Sequence, residues 1–272
     1  MSHGRPLTPP EHSVLLSIAY EGTSFHGWAP QPRQRTVAGE LQGALRTIDP
    51  RIGALRGSSR TDAGVHATGQ VVHFDTVAIR DLVSWVRGPN TYLDPRIRIT
   101  WAKVVPPDFH ARFGATDRTY RYYLLDDAVA PGVLAGRIGW FHRPLDEAAM
   151  ARAAARVIGE HDFSAFRDAQ CQAKSPVRTM HEASVVRRGP VVVFTFRANA
   201  FLHHMVRNLV GSLVYVGAGR QSDDWTERLL VARDRRLSAP TFAPDGLYLE
   251  AVAYDPSLGL PPPRANLLAP LR

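Results

Sequence analysis

One short segment, Ser59-Arg60-Thr61-Asp62-Ala63-Gly64-Val65-His66-Ala67, gathers a guanidinium, a carboxylate and an imidazole within a single tight loop. A carboxylate in such a loop can attack an electron-poor carbon or stabilise positive charge developing on it, and a neighbouring arginine can hold a phosphate. The same residue types also make an ordinary turn, in which Asp62 bonds its own backbone and Gly64 supplies a positive φ.

Other chemistries find no foothold in the chain. A phosphate-cradling Gly-Lys-Ser/Thr loop is excluded because Lys103 and Lys174, the only lysines, both follow alanine. Ser58 and Ser59 lie in Gly57-Ser58-Ser59-Arg60, which is not the G-x-S-x-G turn of serine hydrolases. With Cys171 as the sole cysteine, neither an intrachain disulfide nor a thiolate zinc site can form. His203 and His204 are neighbours on a predicted helix, where successive side chains point about 100 degrees apart. No H-E-x-x-H accompanies them, so packing or RNA contact is expected of them and no metal. Carboxylate chemistry remains, with no cofactor expected.

A formal net charge of +8 favours polyanionic partners, held largely through counterion release. Nucleic acid is therefore the leading partner class. The longest apolar run, Leu209 to Ala218, is well short of the ~20 residues a membrane span needs. No membrane attachment and a cytoplasmic location are expected.

The elements that must position these groups follow from the hydrophobic pattern. Ser13–Tyr20 reads as a buried strand, and Thr36 caps a helix with Val37, Leu41, Ala44, Leu45 and Ile48 at helical spacing. A short strand is expected around Ile52–Gly57, then a strand at Gln70–Asp75, a helix around Ile79–Val86 and a strand at Ile97–Val105. The order repeats with a strand at Thr119–Leu125 and a helix capped by Asp146. Strands at Glu182–Arg187 and Val191–Arg197 follow, turned at Gly189 and Pro190. A helix from His203 to Val216, a shorter one near Ser222 and a strand at Leu247–Tyr254 complete it. The fold class predicted is α+β, with two ferredoxin-like βαββαβ halves joined into one mostly antiparallel sheet around a central basic cleft. The halves are residues 12–108, carrying the Asp62 loop, and 109–255, completing the site. Residues 1–11 and 256–272 are expected to be flexible tails, the latter because of Pro261, Pro262, Pro263 and Pro270.

The chain resembles the tRNA pseudouridine synthase A family. Arg60-Thr61-Asp62-Ala63-Gly64-Val65-His66 matches that family's signature residue for residue. Further similar blocks follow in the family's order: Tyr20-Glu21-Gly22-Thr23 with Gly27-Trp28, Phe109-His110-Ala111-Arg112-Phe113, Tyr120-Arg121-Tyr122, and Asp162-Phe163 with Phe166-Arg167. Asn199 to Asn208 and Gly246-Leu247-Tyr248-Leu249 close the series. Ser59 stands where the family usually has glycine, and Ala29 where glutamine is common; neither departure removes a reacting group.

The resemblance implies an isomerase that needs no cofactor. It converts uridine to pseudouridine in the anticodon stem-loop of tRNA, at roughly positions 38 to 40, and acts as a homodimer. It implies that Asp62 is the nucleophile, that Arg60 fills the stack left by a flipped uridine, that Tyr120 stacks on the uracil, and that Arg207 pairs with Asp62. Leu247 then lines the base pocket. His66, His203, Arg112 and Arg121 are candidate substrate contacts, with Arg118 and His204 beside them. Read from residue types alone, several of these have plainer roles. Arg60 suits a phosphate contact or salt bridge, Tyr120 a half-buried strand position, Arg207 a helix surface and Leu247 a core. A pseudouridine synthase acting on another RNA, or a non-catalytic RNA-binding protein, would share much of this pattern.

Overall fold

The computed structural model describes residues 12–262. Their strands form one ten-stranded sheet, and their helices pack on one face of it. In the first half these are β1 (His12–Tyr20), α1 (Val37–Ile48), β2 (Arg56–Gly57), β3 (His66–Thr76), α2 (Leu82–Asn90) and β4 (Ile97–Val105). The second half holds β5 (Asp117–Asp126), β6 (Gly139–Phe141), α3 (Glu147–Ala155), β7 (Gly159–Asp162), β8 (Val177–Arg188) and β9 (Val191–Ala198). It ends with α4 (Met205–Gly217), α5 (Trp225–Ala232) and β10 (Leu247–Ala253).

The sheet runs β4-β1-β3-β10-β5-β9-β8-β7, with β2 on β3 and β6 on β5. Neighbours along this path are antiparallel except at the join, where β10 runs parallel to β3 through Tyr248 opposite His66 and Leu249 opposite Ala67. β3 is thus shared: its later residues His73 and Val72 pair with β2, and its first residues receive the strand that returns from the second half. This is the mostly antiparallel α+β sheet expected from the hydrophobic pattern.

Local signals account for the boundaries. The Thr36 hydroxyl accepts from Gly39 N–H at the start of α1, and Asp146 accepts from Ala149 N–H at the start of α3. α2 begins later than the apolar pattern implied because Asp81 is its cap, leaving Ile79 outside and exposed. β2 keeps only Arg56–Gly57, and the short strands β6 and β7 carry too few residues to show a period.

β1 is buried on both faces, which is why its sequence lacks alternation. Val14, Leu16 and Ile18 meet the helices, while Leu15 packs with Val71, Val105, Ala111 and Tyr254 beneath the connector to β5. Residues 256–260 belong to this second layer, contrary to the loose tail expected of a proline-rich end. Leu258 and Leu260 pack against it, and Lys103 Nζ donates to the carbonyls of Leu258 (2.7 Å) and Gly259 (2.6 Å). Residues 1–11 and 263–272 of the expected tails lie outside the described residues.

His73 pins the connector from β4 to β5. Its Nδ1 accepts from Ala111 N–H at 3.2 Å, and Phe109 and His110 meet its ring edge-on. Burial, aided by His110 and Arg56 nearby, pushes its pKa down from 6.5 to about 4. The unfolded chain therefore takes up a proton near pH 6.5 that the folded chain refuses until about pH 4. Stability is full above that window and falls as pH drops through it, by about 2 to 3 kcal/mol. Urea midpoints measured from pH 7 to pH 4 will show this slope. His73→Gln, which keeps an acceptor for Ala111, will flatten it.

Candidate active site

The Asp62 loop is built on backbone bonds and close packing. Val65 N–H donates to Asp62 O (3.2 Å), closing a turn with Gly64 at φ +81°. Trp28 N–H donates to Thr61 O at 3.0 Å, and the Tyr20 hydroxyl bonds Thr61 Oγ1 at 2.7 Å. Gly27, at φ +82°, lies against this backbone; a Cβ there would come within 2.6 Å of Thr61 O. The Tyr20 and Gly27-Trp28 blocks therefore support the reacting loop from below.

On the other side, α4 begins with an unusual step. His204 adopts a left-handed conformation (φ 60°, ψ 2°), which costs a residue with a Cβ about 1 to 2 kcal/mol. The helix behind it is fixed by Asn208, which is fully buried and donates to Phe166 O at 2.8 Å. Asn208 Oδ1 accepts from Thr241 (2.7 Å) and Arg235 (3.0 Å). One turn of helix beyond His204, the Arg207 guanidinium donates through Nη1 to Asp62 Oδ2 at 2.9 Å. Its Nε donates to Phe242 O at 2.8 Å, so the fork is anchored at both ends. This pair joins the two halves through groups that are only 15% and 23% exposed. At such burial, a charge-assisted bond is worth more than a surface ion pair.

The histidines do not diverge as helical neighbours would. Both precede the helix, and the left-handed backbone at His204 lets their rings stack at 3.9 Å and 29°. His204 Nε2 lies 3.2 Å from Asp62 Oδ2, and His203 Nε2 lies 3.4 Å from Asp62 Oδ1. The helical spacing argument against their acting together is therefore corrected. Their ligand atoms and that of Asp62 lie within 4.8 Å of one another, residue types that suit a divalent cation. The Arg207 cation on the same carboxylate already supplies the positive charge such an ion would bring.

Tyr120 faces the same side of the sheet, beneath the loop. It is 7% exposed and meets Phe201 edge-on at 5.1 Å. Burial raises its pKa to about 12, with the Asp62 charge adding in the same direction, so the phenol stays protonated at neutral pH. Arg60 is exposed, and its guanidinium makes no hydrogen bond or ion pair among the described residues. Leu247 is 5% exposed and part of the core under Tyr122.

Other candidates fall elsewhere. His66, 1% exposed, is a structural post: Nδ1 accepts from Gly22 N–H (3.0 Å), Nε2 meets the carbonyls of Gly136 and Asp245, and the ring stacks on Tyr248. Burial lowers its pKa and keeps it neutral, and no surface is left for substrate. Arg121 alternates with Tyr120, so it faces the opposite side of the sheet and pairs with Glu250 at 3.1 Å. Arg118 is buried and donates to the carbonyls of Arg112, Ala115 and Asn199, which occupies the group expected to meet phosphate. Arg112 is exposed, its guanidinium 5.6 Å from the ring centre of Phe113. Asp168, which carried no signal in the sequence, meets both histidines from behind.

A family model described as tRNA pseudouridine synthase matches residues 16–114 and 153–255, which include Asp62 and Arg207 and leave out Tyr120. A protein named tRNA pseudouridine synthase A from Methylobacillus flagellatus is 54% identical over 248 residues, covering 91% of this chain and 95% of its own. Relatives of the same name from Dechloromonas aromatica (53% over 255 residues; 94% and 97%) and Aromatoleum aromaticum (55% over 248; 91% and 94%) are similar in extent. With a family match over both halves and relatives more than half identical along nine-tenths of its length, the chain belongs to the tRNA pseudouridine synthase family.

Proposed function

We propose that this protein isomerises uridine to pseudouridine in tRNA, with Asp62 as the nucleophile. The observation that carries this reading is the 2.9 Å contact between Asp62 and Arg207, which sets a guanidinium on the carboxylate beside a protonated, buried phenol. In the reaction the N1–C1′ bond breaks, the uracil turns, and C5 bonds to C1′. The C5 proton leaves and N1 gains one, so no oxidant or water is consumed. Asp62 covers the positive charge that develops at the sugar as the first bond breaks, as carboxylates do in glycosidic cleavage. Tyr120 offers a face to the turned base, and exposed Arg60 occupies the place the base has left.

The targets in this reading are uridines of the anticodon stem-loop, at roughly positions 38 to 40. The site residues come from both halves, 12–108 and 109–255. The protein works as a homodimer in the cytoplasm, without a metal; no helix among the described residues is long and apolar enough to cross a membrane. The test is to incubate the protein with tRNA carrying tritium at uracil C5, whose release into water reports the new C5–C1′ bond. Release from wild-type anticodon stem-loops, lost when the target uridines are replaced by cytidine, is expected. Release unaffected by those replacements would refute the target assignment, and no release from any tRNA would refute the activity.

A further inference from the structure

Asp168 has no part in the reaction as proposed, yet it completes an array of five polar side chains made of Asp62, Arg207, His203, His204 and Asp168 itself. His204 bridges the two acids, with Nδ1 2.8 Å from Asp168 Oδ2 and Nε2 3.2 Å from Asp62 Oδ2. His203 runs alongside at 3.5 and 3.4 Å from the other oxygen of each. Asp168 is itself held in place: its N–H donates to His203 O at 3.1 Å, and its Oδ1 accepts from Gln170 N–H at 2.8 Å. Burial works to raise its pKa, but the bonds from Gln170 and His204 hold the carboxyl below its usual range.

The geometry treats the two oxygens of Asp62 differently. Oδ2 receives both Arg207 and His204, from two directions. Oδ1 is approached only by His203 among the described residues, and His203 is the most exposed member of the array, at 39%. The two acids lie at opposite ring nitrogens of His204, so the acid behind the ring fixes its direction toward the acid in front. The left-handed backbone at His204 is the local cost of aiming the ring this way.

We propose that Asp168 is a positioning residue, acting through His204 to pin Oδ2 of Asp62 and leave Oδ1 as the oxygen that meets the sugar carbon. This rests on the reading of Asp62 as nucleophile. Asp168 touches neither RNA nor the reacting atoms, and the bonds made and broken are unchanged by it.

The test is single-turnover tritium release under saturating enzyme, with RNA affinity measured separately. Asp168→Ala is expected to slow the step roughly tenfold to a hundredfold, the scale of a modest misalignment, with RNA affinity within about twofold of wild type. Asp168→Asn keeps an acceptor for His204 and is expected to recover part of the rate. Nitrogen-15 spectra of the histidine rings will show His204 Nδ1 altered in the alanine variant. Should that variant misfold, as read by its melting curve, the near-isosteric asparagine variant and its own His204 signal decide the matter. A wild-type rate in either folded variant with an unchanged His204 signal overturns the inference, as does a loss carried wholly by RNA affinity. Asp62→Asn is run alongside: full release there refutes the nucleophile, whereas an inert Asp62→Asn beside a normal Asp168→Ala refutes only the positioning role.

Discussion

Asp62→Asn will bind tRNA and release no measurable tritium. The amide is nearly the same shape as the carboxylate, so the turn closed by Val65 N–H on Asp62 O survives, that bond being to the backbone. What disappears is the negative charge and the nucleophilic oxygen that the proposed reaction assigns to Asp62. The expected loss is at least about a thousandfold, roughly 4 kcal/mol of transition-state stabilisation. RNA affinity should hold or rise slightly, because a negative charge facing a polyanion has been removed. Single-turnover release and filter binding on the same preparation separate the two effects. A variant that released tritium at the normal rate would show that another group does the chemistry.

Arg207→Met should be the second most damaging change. The thioether fills much of the space but donates to neither Asp62 Oδ2 nor Phe242 O, both of which Arg207 now serves. Loss of a buried, charge-assisted bond to the reacting group is expected to lower the rate roughly a hundredfold. Arg207→Lys restores the charge but cannot fork to both acceptors, so it should fall between the two. The fall should lie in kcat, with KM changed little. A change confined to KM would make Arg207 an RNA-binding residue.

The Asp62 loop was legible because its reactive side chains stand at short spacing, whereas Tyr120 and Arg207, far along the chain, were singled out by the family resemblance. Asp62, Tyr120 and Arg207 are found on one side of one sheet, where Asp62 meets Arg207 and the Asp62 charge reaches Tyr120. Strand alternation placed Tyr120 and Tyr122 together, and the same rule, applied to Arg121, should have turned it toward the other face, where Glu250 holds it. His66 misleads because a polar residue in a reactive loop looks functional until its burial is known; all its hydrogen-bond partners come from residues distant in sequence. His203 and His204 were named as candidates, but their meeting on Asp62 escaped because helical spacing was applied to residues that lie just outside the helix, where one left-handed step redirects them. Asp168 gave no signal at all, since an aspartate in a polar stretch is ordinary and its role comes wholly from what folds against it.

The fold itself followed from periodicity where elements are long. It failed for β6 and β7, which are too short for a pattern, and for the start of the C-terminal tail, where prolines suggested looseness but Leu258 and Leu260 find an apolar bed.

Asp62 and Arg207 are separated by 145 positions in the chain, and they meet near where β10, the last strand among the described residues, slots beside β3. Contacts that span so much sequence form late, after the entropy of closing a long loop has been met. A nascent or half-assembled molecule can thus expose basic surface to tRNA without owning a competent catalytic dyad. Activity should switch on in one step at the end of refolding, lagging behind the recovery of helical signal and coinciding with closure of the two-residue parallel seam.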